Sequence, residues 1–277
     1  MTPDAGKDVR AAIGYSERTE RRPFFYANAH EKDFVPLKPA MVTIRDARGI
    51  DADLDREGFT LVEHRSALED LTDLGEVGKV HSGEIAELLK RVTGCDEVVM
   101  TPFGILRFSE KSGANAEHDN SHPARFVHVD MAKEAAAAMR AKTAPGPEAT
   151  GGKPIVRSAQ YNVWRSLAGG TQDVPLGLCA WPSVAPQDLL DCDAIFDPLD
   201  GSPEWGFANY LLAHNPDHRW YYYSDMTRDE AILFKTSESD PDRAQLMPHG
   251  AFDNPLAGPD APARVSLEMR GTCYWFG

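Results

Sequence analysis

Cysteine is scarce in this chain: Cys95, Cys179, Cys192 and Cys273 are the only 4 in 277 residues, widely spaced and with no Cys-x-x-Cys pair. That excludes a disulfide framework and points to reduced, mostly buried thiols of a cytoplasmic protein. No apolar run approaches the ~18 residues that cross a bilayer. The N-terminus, MTPDAGKDVRAAIGYSERTERRPFF, also lacks the apolar stretch of a secretion signal, so no membrane role is expected. Positive charge is short as well, with 29 Lys and Arg against 43 Asp and Glu and a formal charge of −14. Such a surface repels polyanions, which argues against nucleic acid as a partner. The basic cluster from Arg18 to Arg22 has a glutamate inside it and reads as a solvated face.

What is present is enough chain to bury a sizeable core. Residues 1–75 mix strand-like pieces, MVTIRDA and GFTLVEH, with polar turns and read as an N-terminal flank. The clearest helix follows, with Ser82 placed to cap it, Ile85, Leu88, Leu89 and Val92 on one face, and Gly94 at the C-cap. A second helix is expected in MAKEAAAAMRAKTA, ending in the turn-rich PGPEATGGKP at 145–154. Beyond it, short apolar and aromatic runs recur between turns, the signature of an antiparallel sandwich or barrel. Periodicity alone leaves an immunoglobulin-like sandwich and a lipocalin-like barrel open beside a jelly roll.

The chemistry sits in FVHVD. Alternate residues of a strand share a face, so His128 and Asp130 converge, and a third ligand must come from a neighbouring strand. His249 in MPHGAF is the best third ligand by its surroundings. Two imidazoles and one carboxylate are the composition of a facial Fe(II) site, which leaves positions open for a chelating cosubstrate and O₂. Ligands from facing strands suit a mainly β fold, a double-stranded β-helix (jelly roll, cupin-like) with flanking α-helices. A chelating 2-oxo acid also needs its far carboxylate held, and Arg264 with Ser266 on one strand face supplies an arginine and a hydroxyl for that purpose.

The segments YNVWRSLAGGTQDVPLGLCAWPSVAPQDLLDCD, NPDHRWYYYSDMTRDEAILFKTSES and PHGAFDNPLAGPDAPARVSLEMR resemble the AsaB/CmcJ-type hydroxylase/desaturase family, over roughly residues 95 to 275. The resemblance implies one oxygenase domain over 1–277, with its jelly-roll core at 95–277. It implies a non-haem Fe(II), 2-oxoglutarate-dependent enzyme that hydroxylates, desaturates or cyclises a small amino-acid or natural-product substrate. By it His128, Asp130 and His249 are the metal ligands, and Arg264 and Ser266 anchor the cosubstrate. Ser166 and Ser224 depart from the family pattern beside likely pocket strands, and the stretch around Arg107 is less typical.

Other residues admit two uses. Asn162 is either a cosubstrate contact or a buried amide tying strands, and Trp164 shares its face. Arg165 points the other way unless a bulge reverses it. In Trp220-Tyr-Tyr-Tyr223 one pair packs the core and the other, Trp220 with Tyr222, is assigned to a substrate pocket. Lys235 is an alternative carboxylate anchor. His214 and His218 have zinc-like spacing, but Pro216 argues against the helix that this requires, and His118 and His122 belong to a polar loop. Two rival functions remain: an iron oxidase that uses the triad without 2-oxoglutarate, and a metal-free β-sandwich binding module.

Overall fold

Val9, Ala11, Ile13 and Tyr15 alternate along the chain, and they form the buried side of the first strand, β1 (Val9–Ser16). The computed structural model describes residues 7–114 and 119–277, so His118 lies outside the described residues. The strands that follow are β2 (Phe24–Tyr26), β3 (Leu37–Asp46), β4 (Phe59–Glu63), β5 (Glu97–Met100), β6 (Ile105–Phe108) and β7 (His128–Val129). After them come β8 (Ile155–Ser166), β9 (Leu176–Cys179), β10 (Leu189–Phe196), β11 (Trp205–Leu212), β12 (Trp220–Tyr222), β13 (Glu230–Glu238), β14 (His249–Ala251) and β15 (Val265–Phe276).

They form two sheets. The larger runs β1-β3-β12-β9-β14-β7-β11-β10-β2, and the smaller runs β4-β13-β8-β15-β5 with β6 also paired to β15. Phe59, Trp164, Leu178, Tyr221, Tyr223 and Phe234 fill the space where the sheets face each other. This is the jelly roll expected from the sequence. The N-terminal stretch read as a flank supplies β1 to β4, of which β1 to β3 pair into the larger sheet and β4 into the smaller one; the alternating buried side of β1 is the clearest.

Helix α1 is a single turn (Leu74–Glu76), α2 spans Ser82–Thr93 and α3 spans Lys133–Lys142. The buried face of α2 is Ile85, Leu88 and Leu89, which cover the outer side of the smaller sheet; each such side chain contributes about 1.5–3 kcal/mol by burial. Gly94 closes it in the left-handed region, as expected. Its start differs from expectation: Ser82 does not cap. A π-helical turn, Val77–His81, joins α2 back to α1, and Asp73 caps the whole by accepting from the backbone N–H groups of Gly75 and Glu76.

Two glycines set the position of β7. A Cβ on Gly14 of β1 would lie 2.2 Å from the Arg125 carbonyl oxygen, and one on Gly250 of β14 would lie 3.1 Å from that of Phe126. The Gly14 carbonyl accepts from the Val127 N–H at 2.9 Å, so the larger sheet curls until its first strand touches the chain entering β7. Gly14→Ala must push this backbone away. Denaturant titration should show a loss of about 3 kcal/mol or more, accompanied by loss of divalent-metal binding.

The π-helical turn buries His81 completely, with Nδ1 2.6 Å from Glu84 Oε2. Burial holds its pKa down to about 4, against the opposing pull of the Glu84 hydrogen bond. The unfolded chain therefore takes up this proton first, so the His81 contribution to stability is complete above ~6.5 and is lost as the pH falls toward the folded value. Melting temperature should fall across that window, and His81→Gln should flatten the slope.

Candidate metal centre

Pairing of β14 with β7 sets His249 directly opposite His128, and their rings stand 4.4 Å apart between centroids. Asp130 follows on the same face of the chain as His128. Ligand atoms of His128, Asp130 and His249 all lie within 4.8 Å of one another. His128 Nε2 is 3.7 Å and His249 Nε2 4.0 Å from the same oxygen, Asp130 Oδ1. Each Nδ1 faces a backbone carbonyl, that of Phe126 at 3.2 Å and that of Met247 at 3.1 Å. A carbonyl can only accept, so the proton sits on Nδ1 and the Nε2 lone pair is turned inward. Burial, with His249 adding to it, pushes the His128 pKa down to about 3 despite Asp130, which keeps the ring neutral at physiological pH.

Asp130 is gripped from the opposite sheet. Asn162 of β8 donates to Oδ2 at 2.6 Å, and Arg270 of β15 donates to Oδ1 at 3.2 Å. Burial alone would raise the Asp130 pKa, but the adjacent Arg270 guanidinium, with the Asn162 hydrogen bond, outweighs it and holds the carboxyl well below the usual range. Two inward imidazole nitrogens and an ionised carboxylate oxygen, beside a cavity, fit an Fe(II) ion bound on one face. Asn162 is thus the partner of a metal ligand, and its own Oδ1 is buried without a hydrogen bond.

The cavity runs from the triad to Arg264, Trp164 and Leu176, and measures about 20 Å³. Arg264 is 2% exposed and donates through Nε to Ser266 Oγ at 3.0 Å and through Nη1 to the Val174 carbonyl at 3.2 Å. Its guanidinium lies 5.2 Å from the Trp164 ring centre, and among the described residues no carboxylate pairs with it. Burial pulls its pKa down to about 9, with Arg107 adding to the shift. Arg107 of β6, opposite Ser266, lines the same cavity while its Nη1 holds the carbonyls of Asn120 and His122.

Four residues assigned to substrate lie elsewhere. Arg165 has no bulge to turn it inward, since its pairing with Leu267 is regular; it binds the His64 ring at 2.7 Å on the far side of the smaller sheet. Lys235 is fully buried on that same side, in an ion-pair cluster with Asp55 at 2.7 Å and Glu238 at 2.9 Å. The aromatic run does split into two faces, but Tyr221 and Tyr223 are the inner pair. Trp220 and Tyr222 pack behind the larger sheet with Ile13, Tyr15 and Phe252. His218 is held by Asp188 and Tyr15, and among the described residues the triad is the one group able to hold a metal.

Arg270 and Glu268, which sequence reading passed over, are the other charged groups of the cavity, paired at 2.7 Å. The signal was the alternation Arg264-x-Ser266-x-Glu268-x-Arg270, which puts all four on one strand face. A second, larger cleft of about 440 Å³ is lined by Met131, Trp181, Leu189, Tyr210 and Leu246 among others. Met131 directly follows Asp130, and Leu246 lies three residues before His249.

A family described as an oxidoreductase/YMDC permease-like domain matches residues 13–274. Alpha-ketoglutarate-dependent dioxygenase phiK of Fungal sp. (strain ATCC 74256) is 32% identical over 234 residues, 83% of this chain and 82% of that protein. Hydroxylase/desaturase CTB9 of Cercospora beticola is 31% identical over 256 residues, 84% of this chain and 76% of that one. The solved structure of the iron and alpha-ketoglutarate-dependent endoperoxidase NvfI shares the fold, with a TM-score of 0.82 over 98% of each chain at 24% identity. With the His128, Asp130 and His249 cluster in place, the chain belongs to the hydroxylase/desaturase family of Fe(II)- and 2-oxoglutarate-dependent oxygenases.

Proposed function

We propose that the whole chain forms one oxygenase domain that oxidises a C–H position of a small, largely apolar molecule, with 2-oxoglutarate as co-reductant. In hydroxylation, substrate, O₂ and 2-oxoglutarate become the alcohol, succinate and CO₂; in desaturation or ring closure, two hydrogens leave the substrate as water. When bound, Fe(II) supplies open coordination positions and the redox chemistry that C–H cleavage needs. His128, Asp130 and His249 hold it. The protein's further tasks are to place the reactants and exclude water.

The observation that carries this reading is Arg264. A buried guanidinium without a carboxylate partner is unfavourable unless a ligand brings one, and Ser266 is already bonded beside it to complete the receptor. An uncharged ligand would leave the cation unpaired; the distal carboxylate of 2-oxoglutarate satisfies it. Trp164 is the flat floor under this anchor, and Asn162 acts on the metal through Asp130.

The substrate is assigned to the cleft of about 440 Å³, whose volume suits a small organic scaffold. Its lining joins an apolar set, Met131, Trp181, Leu189 and Leu246, to polar groups that include Thr236, Ser237, Glu238 and Gln245, which supports a small, mainly apolar skeleton that carries polar substituents. Lys133 and Asp191 stand at its exposed rim. The four cysteines, all buried and free, support a reducing, cytoplasmic setting.

Calorimetry with Mn(II) should find one tight site. His128→Ala or His249→Ala should abolish it, and Asn162→Ala should weaken it about 10- to 100-fold by releasing Asp130. Titration of the Mn(II)-loaded protein with 2-oxoglutarate should show binding that Arg264→Gln weakens by at least about 2 kcal/mol, roughly 30-fold. The same variant should melt no lower than wild type without metal, because it removes a buried unpaired charge. Oxygen uptake without succinate would instead select an oxidase that draws its electrons from the substrate alone.

A further inference from the structure

We propose that the outer side of the smaller sheet carries a second binding site, a cleft walled by Arg65, Arg165 and Arg228 that takes a phosphate group, free or borne by a small molecule. Strand β8 separates it from the metal centre: Trp164, the neighbour of Arg165, turns the other way to lie beside Arg264.

Arg165 is where the inference starts. Its side chain lines a cleft of about 630 Å³ between the segment at 65–71 and the residues that lead into β13, yet the residue is only 1% exposed. Its Nη1 donates to the carbonyls of His64 and Arg228, each at 3.3 Å, and its Nη2 donates to His64 Nδ1 at 2.7 Å. All three acceptors are neutral, since a ring nitrogen that accepts carries no proton. Among the described residues no carboxylate pairs with this guanidinium. Burial pulls its pKa down to about 10, although Glu84 and Asp229 oppose the shift. A cation withdrawn from water without a counter-ion is unfavourable, and an anion that enters the cleft removes the penalty.

The nearby acids leave that place open. Both oxygens of Glu84 are engaged: Oε2 accepts from Ser66 Oγ and faces His81 Nδ1, each at 2.6 Å, and Oε1 accepts from the Ala67 N–H at 2.8 Å. These bonds also tie the wall at Ser66 and Ala67 to α2. Glu69 and Asp229 line the cleft as well, but both are exposed, and among the described residues neither forms an ion pair with its arginines. Arg65 and Arg228 are exposed beside them, and Arg228 Nη2 donates to the Glu69 carbonyl at 2.6 Å. Three guanidiniums thus stand against two carboxylates in a chain whose formal charge is −14. The excess is felt by His64, whose pKa is held below its ordinary value by burial, with Arg165 and Arg91 adding to it against Glu84.

Phosphate answers this set better than a carboxylate. Its dianion presents acceptor oxygens on every side, and the planar fork of arginine binds them in bidentate fashion. The cleft is larger than one ion fills and falls within the range of small-molecule sites, with Ala67, Leu68 and Leu71 as an apolar wall for an organic group on the phosphate.

The test is calorimetry on the full chain without added divalent metal, which phosphate would chelate, using inorganic phosphate, glycerol 3-phosphate and acetate as probes. Wild type should bind phosphate at one site, about tenfold or more tighter than acetate, and added NaCl should weaken the binding. Arg165→Gln and Arg228→Gln should each weaken it by about tenfold or more, whereas Arg264→Gln, in the inner cavity, should leave it unchanged. Circular dichroism checks folding; should Arg165→Gln not fold, Arg228→Gln and Arg65→Gln on the exposed rim carry the test. Either phosphate supports the proposal, and the tighter of the two tells whether the site takes the ester or the free ion. The proposal is overturned by the absence of saturable phosphate binding, by acetate binding as tightly, or by affinity that survives both Arg165→Gln and Arg228→Gln. Loss of binding in Arg264→Gln alone overturns it too, because the ion then sits in the inner cavity.

Discussion

The Asp130 carboxylate joins the two sheets. It arrives on the strand from the larger sheet that carries His128, and its two oxygens are held by Asn162 and Arg270 from adjacent strands of the smaller one. A buried carboxylate so placed is stable only while its donors remain, because an uncompensated buried charge costs about 3–5 kcal/mol. The spacing of the sheets, the direction of the triad and the shape of the cavity are therefore coupled through one side chain.

From this constraint the division of the interior follows. Toward Arg264 the walls are polar and narrow, set by β15, β8 and β6; on the side of Met131 they are apolar and wide, set by α3, β10, β11 and the chain before β14. The triad lines the narrow, polar cavity, and the wide cleft is bounded by the residue that follows Asp130 and by the chain that leads into β14. Phe234 packs its ring against that of His249, 4.7 Å between centroids, which backs this ligand with an apolar surface.

Much of this was legible because strand periodicity is strict. His128 with Asp130 and Arg264 with Ser266 each required only that alternate residues share a face, and both pairs line one cavity. The substrate assignments failed where period alone cannot choose a side: the aromatic run was correctly split in two, but which pair faces inward depends on register with β9 and β3. Lys235 was misjudged because its charge is answered by Asp55 and Glu238, one distant and one just past a bulge in the ladder. The N-terminal strands went unrecognised as part of the sheets because a short alternating run looks the same whether it ends at an edge or closes a barrel.

The contact of Gly14 with the chain at Arg125 bears on how this protein comes to exist. The first strand synthesised must wait for a segment more than a hundred residues later, and that segment must in turn await β14, near the end of the chain, before the two imidazoles meet. Pairings of such long range form slowly, after local helices and hairpins. The three ligands therefore meet only when β14 has paired with β7, so the complete site for the metal is among the last features of the fold to form.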